Sequence, residues 1–329
     1  MKVALLLGFR YGNSYEDSVD DKSRNHLPGI IIDLYQAYQQ ACIAEADKII
    51  VLTDIEKDQK TQLLLNAMIG GIVDANILSF IQILKENSHY LKYVGREQLI
   101  EVTSNITQDA SQVFIYYTGH GSLGNLLLPR LNLEVTFISD DINPVKDEAY
   151  ISMIVFRNLI LSSADNEAYI FIVMDCCNGT GLDLPFRLEG KVYRLAHTKA
   201  TFFQQKIICI SSAMSDQSSG TSRNGSLFSQ AFFRQLRTPI HSMSSILATA
   251  EKECAEKYHQ TAMIHSSYPD EDYIWIWLIN SGKLNIKIDN INYIVEVVRP
   301  IVYVEESRGS SSGSSRSILK KKDKLLLKM

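Results

Sequence analysis

Short apolar runs of strand length alternate along most of this chain with stretches whose apolar residues recur every three or four positions. Runs at 2–8, 48–52, 112–117, 169–174, 206–211 and 273–279 are rich in Val, Ile, Leu, Phe and Tyr and predict strands. Between them, segments 30–45, 74–85, 149–162, 227–236 and 243–258 carry helical periodicity. In the first of these, Ile30, Leu34, Ala37, Tyr38 and Ala41 form one apolar stripe. The strand runs are apolar at consecutive positions, as a parallel sheet covered on both faces requires. The pattern therefore predicts an α/β domain over residues 1–282, in which a mainly parallel six-stranded sheet lies between helical layers as an αβα sandwich.

After Gly282 the period changes to two. Residues 283–304 alternate around Asp289-Asn290 and predict an appended β-hairpin. From 305 to 329 a flexible Ser/Gly linker, SRGSSSGSSRS, leads into a basic tail carrying Lys320, Lys321, Lys322, Lys324 and Lys328.

Composition narrows the function classes. With 46% apolar and 21% charged residues the chain is ordinary globular material, and its net charge of −4 points to no nucleic-acid partner. No apolar run approaches the roughly 20 residues of a membrane helix, so no transmembrane segment is expected. The opening apolar run is also shorter than the core of a signal peptide. Five cysteines, at 42, 176, 177, 209 and 254, are an odd number without a CxxC pair. That suits a reducing, cytoplasmic setting, with Cys42, Cys209 and Cys254 assigned to packing. The basic tail adds a nuclear address or an anionic-membrane contact as alternatives. A monomer is expected.

Two segments carry chemistry. In FIYYTGHGS (114–122) an apolar strand ends at Thr118, and His120 follows between two glycines that let the backbone turn sharply and approach a bound group. In FIVMDCCNGTGLDLPF (171–186) a second strand runs straight into Asp175-Cys176-Cys177 and a glycine-containing turn. A strand-end thiol is accessible for activation by an imidazole, whereas a core thiol is inert. The two motifs lie 57 residues apart, room for one crossover. Parallel neighbouring strands would deliver both to the same sheet edge, where open α/β sheets place their chemistry. The other histidines, at 26, 89, 197, 241, 259 and 265, share no metal-ligand spacing with the cysteines, so no zinc site is expected.

These segments resemble the metacaspases, most closely type I, within the caspase-like cysteine peptidases. TGHG resembles their Y-S-G-H-G, and DCCNGTGLDLPF resembles D-[SC]-C-H-S-G-x-x-L-D-L-P. In the same order, LPGIIID (27–33), VLTD (51–54), ANIL (75–78), ISSAMSDQSS (210–219) and GSLFSQAF (225–232) are similar to further family segments, so the resemblance spans about 1–280. A catalytic histidine some 50 residues ahead of the cysteine is a known caspase arrangement. The resemblance implies a caspase-like fold with a larger part over 1–190 and a smaller part over 200–282. It implies Cys177 as nucleophile, His120 as general base, and the backbone N–H groups of Gly121 and Cys177 as oxyanion donors. Asp33, Thr118 and Asp175 match the pocket that takes a basic P1 side chain, so the partners implied are peptides cut after Arg or Lys. Asp140, Asp147 and Asp183 match three acids of the family's Ca²⁺ site; no other cofactor is implied.

The chain also departs from the family. Members carry His-Ser-Gly after the nucleophile, whereas here the turn is Asn178-Gly179-Thr180, and Lys146 stands where a fourth calcium acid belongs. Two readings stay open: an active endopeptidase, and a catalytically silent caspase-like module that binds or regulates related proteases. Cys176 is the rival nucleophile. The basic stretch 185–206, with Arg187, Lys191, Arg194 and Lys199, reads as a polar loop suited to autoprocessing.

Overall fold

The computed structural model describes residues 1–11, 27, 29–55, 80, 90–129, 149–189, 192–196, 203–214, 216–222, 225–237, 243–255, 260–269, 283–288 and 291–296. The chain divides into two compact units, Met1–Ile279 and Asn280–Met329. In chain order the first contains β1 (Lys2–Gly8), α1 (Ile30–Ile43), β2 (Lys48–Thr53), β3 (Tyr90–Lys92), α2 (Arg96–Thr107), β4 (Gln112–Thr118), β5 (Gly121–Ser122) and β6 (Asn125–Leu127). There follow β7 (Tyr150–Ser152), α3 (Met153–Ser163), β8 (Tyr169–Asp175), a 3-10 turn at Gly181–Asp183, β9 (Phe186–Glu189), β10 (Val192–Leu195) and β11 (Lys206–Ser211). The unit closes with β12 (Thr221–Ser222), β13 (Gly225–Ser226), α4 (Leu227–Leu236), α5 (Met243–Ala255) and β14 (Met263–Ser266). In the second unit β15 (Lys283–Ile288) pairs antiparallel with β16 (Ile291–Glu296).

Among the described residues the main sheet has nine strands, in the order β10-β9-β14-β11-β8-β4-β1-β2-β3. Six of them, β3 to β11, run parallel, and β14, β9 and β10 add an antiparallel flank. The six-stranded sheet expected from the apolar runs is thus too small. β3, β9, β10 and β14 are three- or four-residue strands that lack a long apolar run, so periodicity alone passes over them. The expected strand at 273–279, the linker and tail at 305–329, and the 74–85 helix apart from Phe80 lie outside the described residues.

The central strands explain the sequence pattern. Val3 to Leu7, Val113 to Tyr117, and Ile170 to Met174 are all at most 1% exposed, buried on both faces. Removing each such side chain from water contributes about 1.5–3 kcal/mol before ordering entropy is subtracted. Helices α1, α4 and α5 pack on one another as one layer, and α2 packs on α3 in another. Helix α2 went unpredicted because two of its inward positions are threonines. Thr103 and Thr107 are fully buried and satisfy their hydroxyls by donating to the carbonyls of Leu99 (2.7 Å) and Thr103 (2.8 Å). Cys42, assigned to packing from the sequence, is exposed, because it falls outside the stripe of α1; Cys209 and Cys254 are buried. No helix among the described residues is long and apolar enough to cross a membrane.

Strand order also sets where chemistry can sit. The chain leaves β1 for β2 on one side, then returns to place β4 on the other, so the direction of winding reverses between β1 and β4. Right-handed crossovers on either side of such a point diverge and leave a crevice at the carboxyl ends. There the register aligns Gly8 with Thr118, and Thr118 with Asp175.

Candidate active site

The segment after β4 enters the crevice at Gly119. A side chain at Gly119 would meet the Tyr11 and Tyr117 hydroxyls at 2.7 and 2.8 Å, so only glycine leaves both phenols in place. His120 follows and is partly exposed. Its peptide N–H donates to Tyr11 Oη (2.8 Å), its carbonyl accepts from Tyr117 Oη (2.7 Å) and from Leu127 N–H (3.0 Å), and its ring lies 4.6 Å from that of Tyr11.

Tyr11 is held in turn by Asp54, whose two carboxylate oxygens accept the N–H groups of Arg10 and Tyr11, each at 2.7 Å. Burial pushes the Asp54 carboxyl from 3.8 up to about 6, against the opposing pull of those two N–H groups. The folded chain therefore binds this proton more tightly than the unfolded chain. The stability it contributes is complete below 3.8 and is lost as pH rises through about 6. In urea unfolding, Asp54→Asn should flatten that part of the pH profile; an unchanged slope would assign it to another group.

The segment after β8 meets the first one directly. Gly119 N–H donates to Asp175 O (3.3 Å) and Asn178 Nδ2 donates to Gly121 O (3.4 Å). A side chain at Gly121 would lie 2.3 Å from the Cys177 carbonyl oxygen and 2.9 Å from Cys176 Sγ, so the second glycine of the TGHG motif is needed for contact between the two loops. The adjacent thiols differ sharply. Cys176 is 1% exposed, and burial together with Asp175 raises its pKa well above the usual thiol range. Cys177 is partly exposed, and its Sγ accepts the N–H of Ser219 at 3.2 Å.

Beneath the thiol lies an acidic cluster. Asp175, at the end of β8, accepts from the Ser219 hydroxyl (2.8 Å) and from the Ser229 hydroxyl of α4. Asp33, in the first turn of α1, accepts the N–H of Ser226 (2.9 Å) and the Thr118 hydroxyl (3.4 Å). The carboxylates are 3% and 0% exposed. Burial first, and then the charge of Asp175, holds Asp33 well above the ordinary carboxylate range. Ser226 serves twice, because its side chain also caps α4 by accepting from Ser229 N–H.

Two residues that no sequence motif marks hold this arrangement. Buried Gln260 accepts Gly220 N–H (2.9 Å) and donates to Ser212 O (2.7 Å), fixing the segment that carries Ser219. Arg157, on α3, donates to the carbonyls of Leu182 (2.9 Å) and Asp183 (3.4 Å). These carbonyls belong to a turn in which Gly181, Leu182 and Asp183 all have positive φ. Ser219 itself lay inside the ISSAMSDQSS segment, but Gln260 and Arg157 carry no signal, since a buried polar residue in an amphipathic pattern looks like a solvated one.

His120, Gly121, Cys177, Asp33, Thr118 and Asp175 are thus gathered at one sheet edge. Of the suggested calcium acids, only Asp183 is among the described residues. Asp140 and Asp147 lie outside the described residues, and the Asp183 carboxylate lies 4.0 Å from the Arg157 guanidinium, a cationic neighbour that opposes a divalent ion. Among the described residues no group of three or more acids, histidines or cysteines is placed to hold a metal ion. The stretch around Arg187 and Arg194 is not an open loop either. β9 and β10 form a hairpin in which Arg194 stands opposite Arg187, and both arginines pair with Glu189, one along its own strand and the other diagonally across the pair. Lys191 and Lys199 lie outside the described residues.

The ends of β4 and β8 thus bring a histidine loop and a partly exposed thiol to neighbouring positions on one sheet edge, as a cysteine peptidase of caspase type requires. The family model described as Caspase domain matches residues 73–273, and the chain belongs to that family, whose members are cysteine peptidases. That span includes His120 and Cys177 but not Asp33. Among solved structures, the chain is similar to a protein of Geobacter sulfurreducens, with 13% identity over 83% of this chain and 97% of that one and a TM-score of 0.44. It is also similar to caspase-1 from Spodoptera frugiperda, with 11% identity over 82% and 86% of the two chains and a TM-score of 0.42. No curated protein matches.

Proposed function

We propose that this chain is a metacaspase-like endopeptidase that cleaves after Arg or Lys through Cys177 and His120. The observation that carries the reading is the contact between the two strand-end loops, where Gly121 admits no atom between itself and the Cys177 peptide. His120 takes the Cys177 proton as the sulfur attacks the scissile carbonyl carbon, and the N–H groups of Gly121 and Cys177 hold the oxyanion. The imidazolium then protonates the leaving amine as the C–N bond breaks. Water, deprotonated by the same imidazole, cleaves the thioester and restores the thiol.

A basic P1 side chain suits the acidic cluster. Its cation, replacing the Ser219 hydroxyl on Asp175, supplies the positive charge that the buried acid pair lacks among the contacts described above, and draws Asp33 toward ionisation. A silent binding module is the second reading. It is favoured by the burial of both acids, each already accepting from local donors, and by the Asn178-Gly179-Thr180 turn with Asn178 at φ 55°.

One assay separates these readings. The full chain is incubated with fluorogenic peptides bearing Arg, Lys or Asp at P1, with added Ca²⁺ or a chelator. The expected result is turnover of the Arg and Lys peptides at least about 100-fold above Asp, since an unpaired anion against buried acids costs several kcal/mol. Preference for Asp would overturn the specificity, and no turnover of any peptide would favour the silent module.

A further inference from the structure

We propose that Tyr11 is a positioning residue for His120, gripping its peptide together with Tyr117 and anchored to the neighbouring strand through Asp54. The inference deepens the peptidase reading and rests on it. It starts from a count of hydrogen-bonding groups. The His120 peptide has one donor and one acceptor, and both are engaged by phenols from different strands: N–H to Tyr11 Oη at 2.8 Å, and C=O from Tyr117 Oη at 2.7 Å. With its own proton Tyr11 reaches Leu127 O (2.8 Å), and the two hydroxyls stand 3.1 Å apart. Each phenol has one proton to give, and this assignment uses both without conflict.

The grip has a foundation and a reason for its place. Tyr11 lies just beyond β1 and His120 just beyond β4, the two strands that flank the reversal of winding. A crevice at that point exposes loop backbone to substrate. Past Thr118 the main sheet gives the loop one backbone bond, Gly119 N–H to Asp175 O, while β6 holds it from the other side through Leu127 N–H to His120 O. Asp54, which follows β2, holds Tyr11 by accepting the N–H groups of both Arg10 and Tyr11. The chain of contacts runs Asp54 to Tyr11 to His120 across three adjacent strands. Burial raises the pKa of both phenols well above the ordinary value, so they remain protonated across the working range of a cysteine peptidase. Tyr11 also packs against the imidazole, the two rings lying 4.6 Å apart at a tilt of 43°.

Tyr11→Phe keeps that ring contact and removes only the oxygen that holds the His120 N–H. A misplacement of well under 1 Å at a general base is costly because proton transfer needs hydrogen-bond reach. The expected result at 25 °C and neutral pH is about a tenfold fall in kcat with KM unchanged within about twofold. The acid limb of the pH profile for Cys177 alkylation by iodoacetamide should also move. Thr103→Val, which removes a buried hydroxyl from α2 far from the crevice, is the control for simple destabilisation and should alter neither quantity. His120→Ala is run beside them. If His120→Ala shifts the alkylation profile and Tyr11→Phe does not, or if Tyr11→Phe loses no more kcat than Thr103→Val, the clamp is wrong and the peptidase reading stands. If His120→Ala itself leaves the profile of wild type, the imidazole does not act on Cys177 and both fall.

Discussion

Cys177→Ala is expected to reduce cleavage of Arg and Lys peptides to background, a loss on the order of 10⁴-fold or more, while Cys176→Ala retains activity within a few fold. The difference follows from two thiols one residue apart with opposite environments. Cys176 is 1% exposed, against Gly121 on the core side, and burial keeps its proton on. Cys177 is the partly exposed thiol of the two, and in the proposed mechanism its loss removes the covalent route altogether. Truncating Cys176 instead leaves a small cavity, for which a stability loss of about 1–2 kcal/mol is expected. Steady-state kinetics and urea unfolding on both variants read these effects separately. Full loss of activity in Cys176→Ala, with normal alkylation of Cys177, would move the nucleophile by one residue.

Gly121→Ala should be the next most damaging change. The added methyl would lie 2.3 Å from the Cys177 carbonyl oxygen and 2.9 Å from Cys176 Sγ, closer than non-bonded atoms approach. One of those contacts is backbone and cannot rotate away, so the two loops must separate. In the proposed mechanism, separation moves the thiol from the imidazole and one N–H donor from the oxyanion position. A displacement near 1 Å is worth roughly 100-fold in rate, and the strain costs about 2–3 kcal/mol of stability. Activity is followed with the Arg peptide and stability by thermal melting. A folded Gly121→Ala variant with wild-type kcat would mean that the two loops do not act as one site.

The individual elements of the core were legible residue by residue. The strand at 2–8 and the helix at 227–236 occur with the bounds expected, because continuous burial on both faces demands apolar residues at every position of a central strand. The antiparallel flank was not legible. β9 and β10 hold only four residues each, and their charged side chains read as a loop until Glu189 is seen between Arg187 and Arg194. The residues that hold the site were equally hidden. Tyr11 follows an apolar strand like any core tyrosine, Arg157 sits in a helix otherwise rich in Ile and Leu, and Gln260 is a lone amide. Each is identified by a distant hydrogen-bonding partner: His120 for Tyr11, Leu182 for Arg157 and Ser212 for Gln260, which lie 109, 25 and 48 residues away in the chain.

From its sequence alone this protein determined that a parallel αβ sheet would form and that a histidine and a cysteine would each end a strand of it. Those outcomes depend on local patterning, which burial and backbone geometry impose wherever the pattern occurs. Only the tertiary structure decided that β4 and β8 are neighbours in register. It alone decided that Cys177 and not Cys176 faces outward, and that two tyrosines and a distant aspartate hold the histidine loop. These are contacts between segments remote in the chain, and their free energy arises only when the winding of the sheet brings them together.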